Sequence, residues 1–132
     1  MDVTHLDGLP LFDGLSKKER QLIAQHADEV DLPAGEDLVE NAALAWEFFV
    51  IRQGTVDISQ GSTKLRSLGP GDFFGEIGVL APDRRRTAGV VTTSPVKAIV
   101  MTAHELRAVA HQVPEVAQRL GAAMTQRLQN LP

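Results

Sequence analysis

Between Glu36 and Met101 the chain is a succession of short apolar runs cut at near-regular intervals by glycine turns, and this punctuation limits the folds open to it. Glu47 to Arg52 reads Glu-Phe-Phe-Val-Ile-Arg, the composition of a strand buried on both faces. Gln53-Gly54 turns the chain, and Val56 and Ile58 then alternate with Asp57 and Ser59 as in a half-buried strand. Gln60-Gly61 turns it again before Lys64 to Leu68, and Leu68-Gly69-Pro70-Gly71-Asp72 is a strong loop signal. Phe73-Phe74 ends that strand-like part. Thr87 to Thr93 and Val96 to Met101 are rich in β-branched residues and are divided by Ser94-Pro95. Short strands so spaced, about eight of them, build a sandwich, a jelly roll or a barrel.

Helical signals lie on either side. Ser16 and Glu19 form a capping box for a helix from about Ser16 to Asp28, with Leu22, Ile23 and Ala27 as its apolar face and Pro33-Ala34-Gly35 as its breaker. Thr102 and Glu105 form a second box. Pro114 suits the first position of a further helix, and Glu115 suits its dipole. Val116, Leu120, Met124 and Leu128 recur every four residues along it, with Ala117 and Leu131 alongside. The expected fold class is α+β: a β-roll, or double-stranded jelly-roll barrel, with one N-terminal helix and two C-terminal helices. All of it falls in one domain, residues 1–132, with helical segments at about 1–30 and 102–132 around a roll at 31–101.

Composition narrows the chemistry. At 132 residues, 43% hydrophobic and 23% charged, the chain can bury a core without staples. It has no cysteine, which removes disulfides, thiolate zinc sites and a cysteine nucleophile, and fits a cytoplasmic setting. No apolar run approaches the ~20 residues of a membrane span, and the N-terminus lacks the pattern of a signal peptide. A net charge of −4 disfavours direct nucleic-acid binding, and 5% aromatics without a tyrosine disfavours base-stacking platforms. His5, His26, His104 and His111 all fall outside the expected strands, so surface positions are expected for them, and no metal. No nucleophile elbow is present. The adjacent carboxylates Glu36 and Asp37 read as an exposed loop pair.

The informative stretch is Gly69 to Ala88. Gly75 permits a tight turn and a close approach of ligand to backbone. Glu76 to Ala81 is expected to form a short helical stretch whose first N–H groups can hold an anion. Glu76 would repel a phosphate there, unless it accepts from a neutral hydroxyl such as that of a ribose. Some ten residues on, Arg84-Arg85-Arg86 supplies cations and Thr87 a hydroxyl. Amides, a guanidinium, a hydroxyl and a ribose-directed carboxylate together suit a nucleotide whose phosphate lies close to its ribose.

Phe74-Gly75-Glu76-Ile77-Gly78-Val79-Leu80, followed by Arg86-Thr87-Ala88, resembles the phosphate-binding cassette of the cyclic nucleotide-binding domain family. The resemblance extends from about Leu9 to Leu128, through Leu11-Phe12-Asp13-Gly14-Leu15-Ser16, Pro33-Ala34-Gly35-Glu36 and Val50 to Val56. It implies that Phe74 belongs to the pocket, that Gly75, Ile77 and Gly78 offer backbone, and that Glu76 takes the ribose 2′-hydroxyl. It further implies that Arg86 pairs with the cyclic phosphate, that Thr87 donates to it, and that Ala88 brings its N–H near. Arg84 and Arg85 match no family role. Asn41 stands where many members have glycine. Gln118 to Gln129 is similar to the long helix of the bacterial catabolite activator group, but Asn130-Leu131-Pro132 stands where that group continues into base-contacting residues and a DNA-binding part. Leu131 is therefore expected as an apolar lid on a helix that docks over the base.

The expected function is a stand-alone sensor that is no enzyme. It binds cAMP in preference to cGMP and relays binding through its C-terminal helices to a protein effector, as a monomer or weak homodimer. Two alternatives are an interaction module that has lost its ligand and the sensor part of a transcription regulator.

Overall fold

The computed structural model describes residues 1–38, 47–76 and 89–129. Two 3-10 turns, Val3–Leu6 and Pro10–Phe12, lead into α1 (Lys17–His26). Seven strands follow: β1 (Asp28–Leu32), β2 (Phe48–Gln53), β3 (Val56–Gln60), β4 (Thr63–Leu68), β5 (Phe73–Phe74), β6 (Gly89–Thr92) and β7 (Val96–Met101). Helices α2 (Ala103–Gln112) and α3 (Pro114–Gln129) close the described chain.

The strands form two antiparallel sheets, one in the order β1-β7-β2-β5 and one in the order β4-β3-β6. The fold class is the α+β β-roll that the sequence implies. The sheets do not close on each other among the described strands, so the roll is open rather than a barrel. Expected and observed strand ends agree within two residues through β2, β3, β4 and β7, and the expected start of β6 at Thr87 lies outside the described residues.

Strands β2 and β7 show why their sequences lack alternation. On β2, Phe48 and Val50 join Ile99 and Met101 of β7 in a core shared with Ile23, Leu106, Val109, Val116 and Leu120 of the helices. The intervening Phe49 and Ile51 join Ala98 and Val100 in a second core, against Val56, Ile58, Leu68 and Val90 of the other sheet. One face of these strands carries helices and the other carries a sheet, so Phe48 to Ile51 of β2 and Ala98 to Met101 of β7 are apolar at every position, while Arg52, Gln53 and Lys97 lie at the strand ends outside the two cores. Full burial of each such side chain is worth about 1.5–3 kcal/mol.

Both capping boxes form as read. Ser16 Oγ accepts from Glu19 N at 3.1 Å while Glu19 returns the bond to Ser16 N, and Thr102 and Glu105 do the same. Each cap is worth about 1 kcal/mol. Pro114 opens α3 as expected. Helix α1 stops two residues early, because Ala27 is extended (φ −114°, ψ 150°) and Asp28 pairs with Val100 at the start of β1. A ladder along β7 outweighs another half-turn of helix. Glu36 and Asp37 are half-buried, which corrects the expectation of an exposed pair. Asp37 bridges to Val91, and buried Thr92 ties the segment down by donating to Pro33 O at 2.6 Å and accepting from Glu36 N at 2.8 Å. His104 and His111 are exposed, whereas His5 and His26 are half-buried. No described helix is long and apolar enough to cross a membrane.

The glycine turns carry unequal loads. Gly54 has φ +92°, and a Cβ there would lie 2.2 Å from the Pro95 carbonyl oxygen; Gly61 has φ +60° and nothing within 4 Å. Both substitutions to alanine strain the backbone, but only one also collides with it. Gly54→Ala should therefore lower unfolding free energy by about 2 kcal/mol more than Gly61→Ala, read by urea denaturation. Glu47 offers a pH test. Burial, then the charges of Glu105 and Asp28, raise its pKa above the ordinary value. A carboxyl raised in this way stabilises the fold below its ordinary range, and that contribution fades as pH rises through the raised value. Glu47→Gln should raise Tm at pH 7 relative to the unsubstituted protein, with the gain vanishing near pH 3.5, below the ordinary carboxylate range of about 4.

Candidate functional site

The site begins at the loop between β4 and β5. Asp72 folds back on it, with Oδ2 accepting from Gly69 N at 2.9 Å. Gly71 N donates to Ile51 O at 2.8 Å and Ile51 N donates to Asp72 O at 2.9 Å, fixing the loop to β2. Gly71 has φ +90°, and a Cβ would stand 3.1 Å from Pro10 Cδ, so the second 3-10 turn packs directly on this loop. The next two residues are held by aromatic pairs. Phe74 stacks on Phe49 with centroids 4.9 Å apart, and Phe73 meets Phe48 at 5.7 Å.

Gly75 then takes φ +94°, a conformation that favours glycine, and turns the chain so that Glu76 points inward. The Glu76 side chain is 1% exposed. One oxygen, Oε1, accepts a charge-assisted hydrogen bond from Arg127 Nη1 of α3. Arg127 Nη2 donates to Phe73 O at 2.5 Å, and its guanidinium lies over the Phe73 ring, 4.9 Å from the centroid. The other oxygen, Oε2, is buried and has no hydrogen-bond partner among the described residues.

A second guanidinium lies near enough to feel the same carboxylate. Arg66 lies opposite Ile58 across the β3–β4 ladder, so both side chains project from the inner face of the sheet. Burial and then the charge of Arg127 lower its pKa from the ordinary value, and Glu76 opposes them. Its Nε is buried without a partner among the described residues. Among the described residues the region thus presents a carboxylate with one oxygen braced by an arginine and the other without a donor, and a second arginine within its electrostatic reach. This arrangement can accept a hydroxyl and attract an anion. Among the described residues no group of acids and histidines is placed to hold a metal ion.

Of the residues expected at the site, Phe74, Gly75 and Glu76 come together here. Ile77, Gly78, Arg86, Thr87, Ala88 and Leu131 lie outside the described residues. Along α3, Val116 and Leu120 are fully buried, Met124 is half-buried, and the Leu128 side chain is outside the description. Sequence reasoning missed Arg127 and Arg66, although each left a trace. Arg127 follows Leu120 by two helical turns and so shares the apolar face, where an arginine needs a buried acid. Arg66 precedes the buried Leu68 by two strand positions and so shares its inward face.

Known proteins resemble this chain in sequence and in fold. The cyclic nucleotide-binding domain family matches residues 29–112 of the chain. The cGMP-dependent protein kinase of Eimeria tenella is 34% identical over 85 residues, which is 64% of this chain and 8% of that protein. The cAMP-dependent protein kinase regulatory subunit of Aspergillus fumigatus is 33% identical over 94 residues, 70% of this chain and 22% of that one. The chain therefore spans less than a quarter of either relative. The catabolite activator protein of Thermus thermophilus superposes with a TM-score of 0.75 at 26% identity, over 91% of this chain and 58% of that structure. With the family match spanning residues 29–112, the chain belongs to the cyclic nucleotide-binding domain family.

Proposed function

We propose that this domain is a cyclic-nucleotide sensor that binds its ligand without turning it over and relays occupancy to a protein effector through α3. The observation that carries the reading is Glu76. A buried carboxylate oxygen without a donor is expensive, about 1–3 kcal/mol or more for a charged acceptor. A ribose 2′-hydroxyl supplies that donor, while Arg127 holds the other oxygen and keeps the carboxylate aimed. Backbone at Gly75, Ile77, Gly78 and Ala88 serves the phosphate, Arg86 pairs with it and Thr87 donates to it. Leu131 covers the base as α3 docks. In this reading the domain needs no metal, acts in the cytoplasm as a monomer or weak homodimer, and makes no contact with nucleic acid.

The likeness to bacterial sensors favours cAMP as ligand. One observation favours cGMP as a second reading: Arg66, whose buried Nε has no partner among the described residues, lies within electrostatic reach of Glu76, and arginine is the side chain that reads guanine O6 and N7 together.

Calorimetric titration of the chain with cAMP and cGMP tests the proposal directly. Binding of neither nucleotide overturns it. Tighter binding of cGMP, lost on Arg66→Ala while cAMP binding is kept, decides for the second reading. Arg86→Ala should weaken binding at least about tenfold, since stranding a desolvated phosphate costs roughly 2–5 kcal/mol, while Arg84→Ala should change it little. Equal effects from both mean that the phosphate contact is misplaced.

Glu76 has its own check. Glu76→Gln should weaken binding by a smaller factor than Arg86→Ala, because the amide oxygen still accepts a hydrogen bond. A 2′-deoxy nucleotide should bind the variant and the unsubstituted protein alike. A Glu76→Gln effect that persists undiminished with the deoxy ligand would place the ribose elsewhere.

A further inference from the structure

Helix α3 is fastened at two points about two turns apart. The lower fastening is Arg127 on Glu76 and Phe73 O. The upper one is Arg119. Its Nη1 donates to the carbonyl oxygens of Pro10 and Leu11, at 3.2 and 2.9 Å, and its Nη2 is braced by Glu115 Oε2 at 3.3 Å. Those two carbonyls belong to the second 3-10 turn, whose Pro10 packs against Gly71. From Gly71 the chain runs through Asp72, Phe73, Phe74 and Gly75 directly to Glu76.

The contacts therefore close a circuit. From Glu76 it passes along β5 to Gly71, across to Pro10, through two carbonyl hydrogen bonds to Arg119, and down α3 to Arg127 and back to Glu76. Its hydrogen bonds at Arg119 and Arg127 are directional, and Pro10 packs closely on Gly71. A lysine at position 119 could not reproduce the upper link, since a single ammonium does not offer the planar fork that spans two successive carbonyls and a carboxylate. Glycine at 71 is equally constrained, because a side chain there would push the 3-10 turn away from the loop.

We propose that Arg119 is a positioning residue for the nucleotide site: it holds α3 in the register that places Arg127 on Glu76, and so couples the N-terminal 3-10 turn to the pocket carboxylate. Arg119 touches no ligand in this proposal, and its relevance to binding rests on the sensor reading above. Displacing the turn at Pro10 releases Arg119, lets α3 slide or tilt, and takes Arg127 from Glu76. An event at the N-terminal segment would then change the pocket, and an event in the pocket would change the N-terminal segment by the same factor.

Hydrogen exchange on the chain without nucleotide tests this independently of what the site binds. Arg119→Ala should raise exchange about tenfold in peptides covering Phe73 to Glu76, matching Arg127→Ala, and the double variant should be no worse there than Arg127→Ala alone. Faster exchange confined to the 3-10 turn and α3, with Phe73 to Glu76 as protected as before, overturns the proposal. So does an additive effect in the double variant. If Arg119→Ala fails to give a native circular dichroism spectrum, Arg119→Lys is read in the same way, with a smaller increase expected at the same peptides. Titration then adds the functional arm: Arg119→Ala should weaken nucleotide binding about tenfold in the original chain and less than about twofold when Arg127 is already alanine. Should the unsubstituted protein bind neither cAMP nor cGMP, the sensor reading fails, and the exchange result still decides the role of Arg119.

Discussion

Strands β2 and β7 are buried on both faces, and the rest of the molecule is arranged to satisfy that constraint. Their odd and even residues enter different cores, one closed by helices and the other by the second sheet. Neither core is complete without the other, since the same six-residue strands supply both. The helices at the two ends of the sequence therefore meet on one side of a single sheet, with Ile23 of α1 and Leu106 and Leu120 of α2 and α3 in one cluster. This brings the second 3-10 turn, α3 and the β5 loop into contact, although they are distant in sequence. The candidate site is built at that junction.

The electrostatics of the junction follow from the packing. An ion pair drawn out of water repays its desolvation only when the remaining polar atoms are also satisfied. In the Glu76–Arg127 pair, Arg127 is well served, by Glu76, by the Phe73 carbonyl and by the Phe73 ring. Among the described residues Glu76 is half-served, with Oε1 paired and Oε2 without a donor. An incomplete network of this kind is a poor device for holding a fold together and a good one for receiving a polar ligand. Removing one partner of such a pair typically costs about 3–5 kcal/mol, so helix and pocket depend on each other strongly.

Much of this was legible in the sequence. The strand order of apolar runs, both capping boxes and Pro114 reported local preferences, and local preferences prevailed wherever nothing opposed them. The turn at Gly75 was legible because a left-handed φ favours glycine, and the chain takes it there. Strand β1 was not, since Asp28, Glu29 and Asp31 carry no strand signal, and only the ladder to β7 makes them extended. Arg66 and Arg127 were hidden for a related reason. An arginine on an apolar face is meaningful only once the acid that it meets is known, and that acid is far away along the chain.

The separation between Glu76 and Arg127 has a consequence for how the protein is made. The two residues are 51 positions apart, and β6, β7, α2 and most of α3 lie between them. A contact so remote rewards the chain only after the intervening loop has been closed and its entropy lost. The β3–β4 hairpin can form early around its glycine turn, from contacts near in sequence, whereas β7 must return to β1 and β2 over separations like that of the ion pair, and Glu76 acquires its arginine only when the last helix docks. An intermediate with all its strands in place and α3 still undocked would be compact and without its ion pair. Assembly of this corner is in that sense the final event of folding, and a ligand received at the proposed site would select only the finished domain.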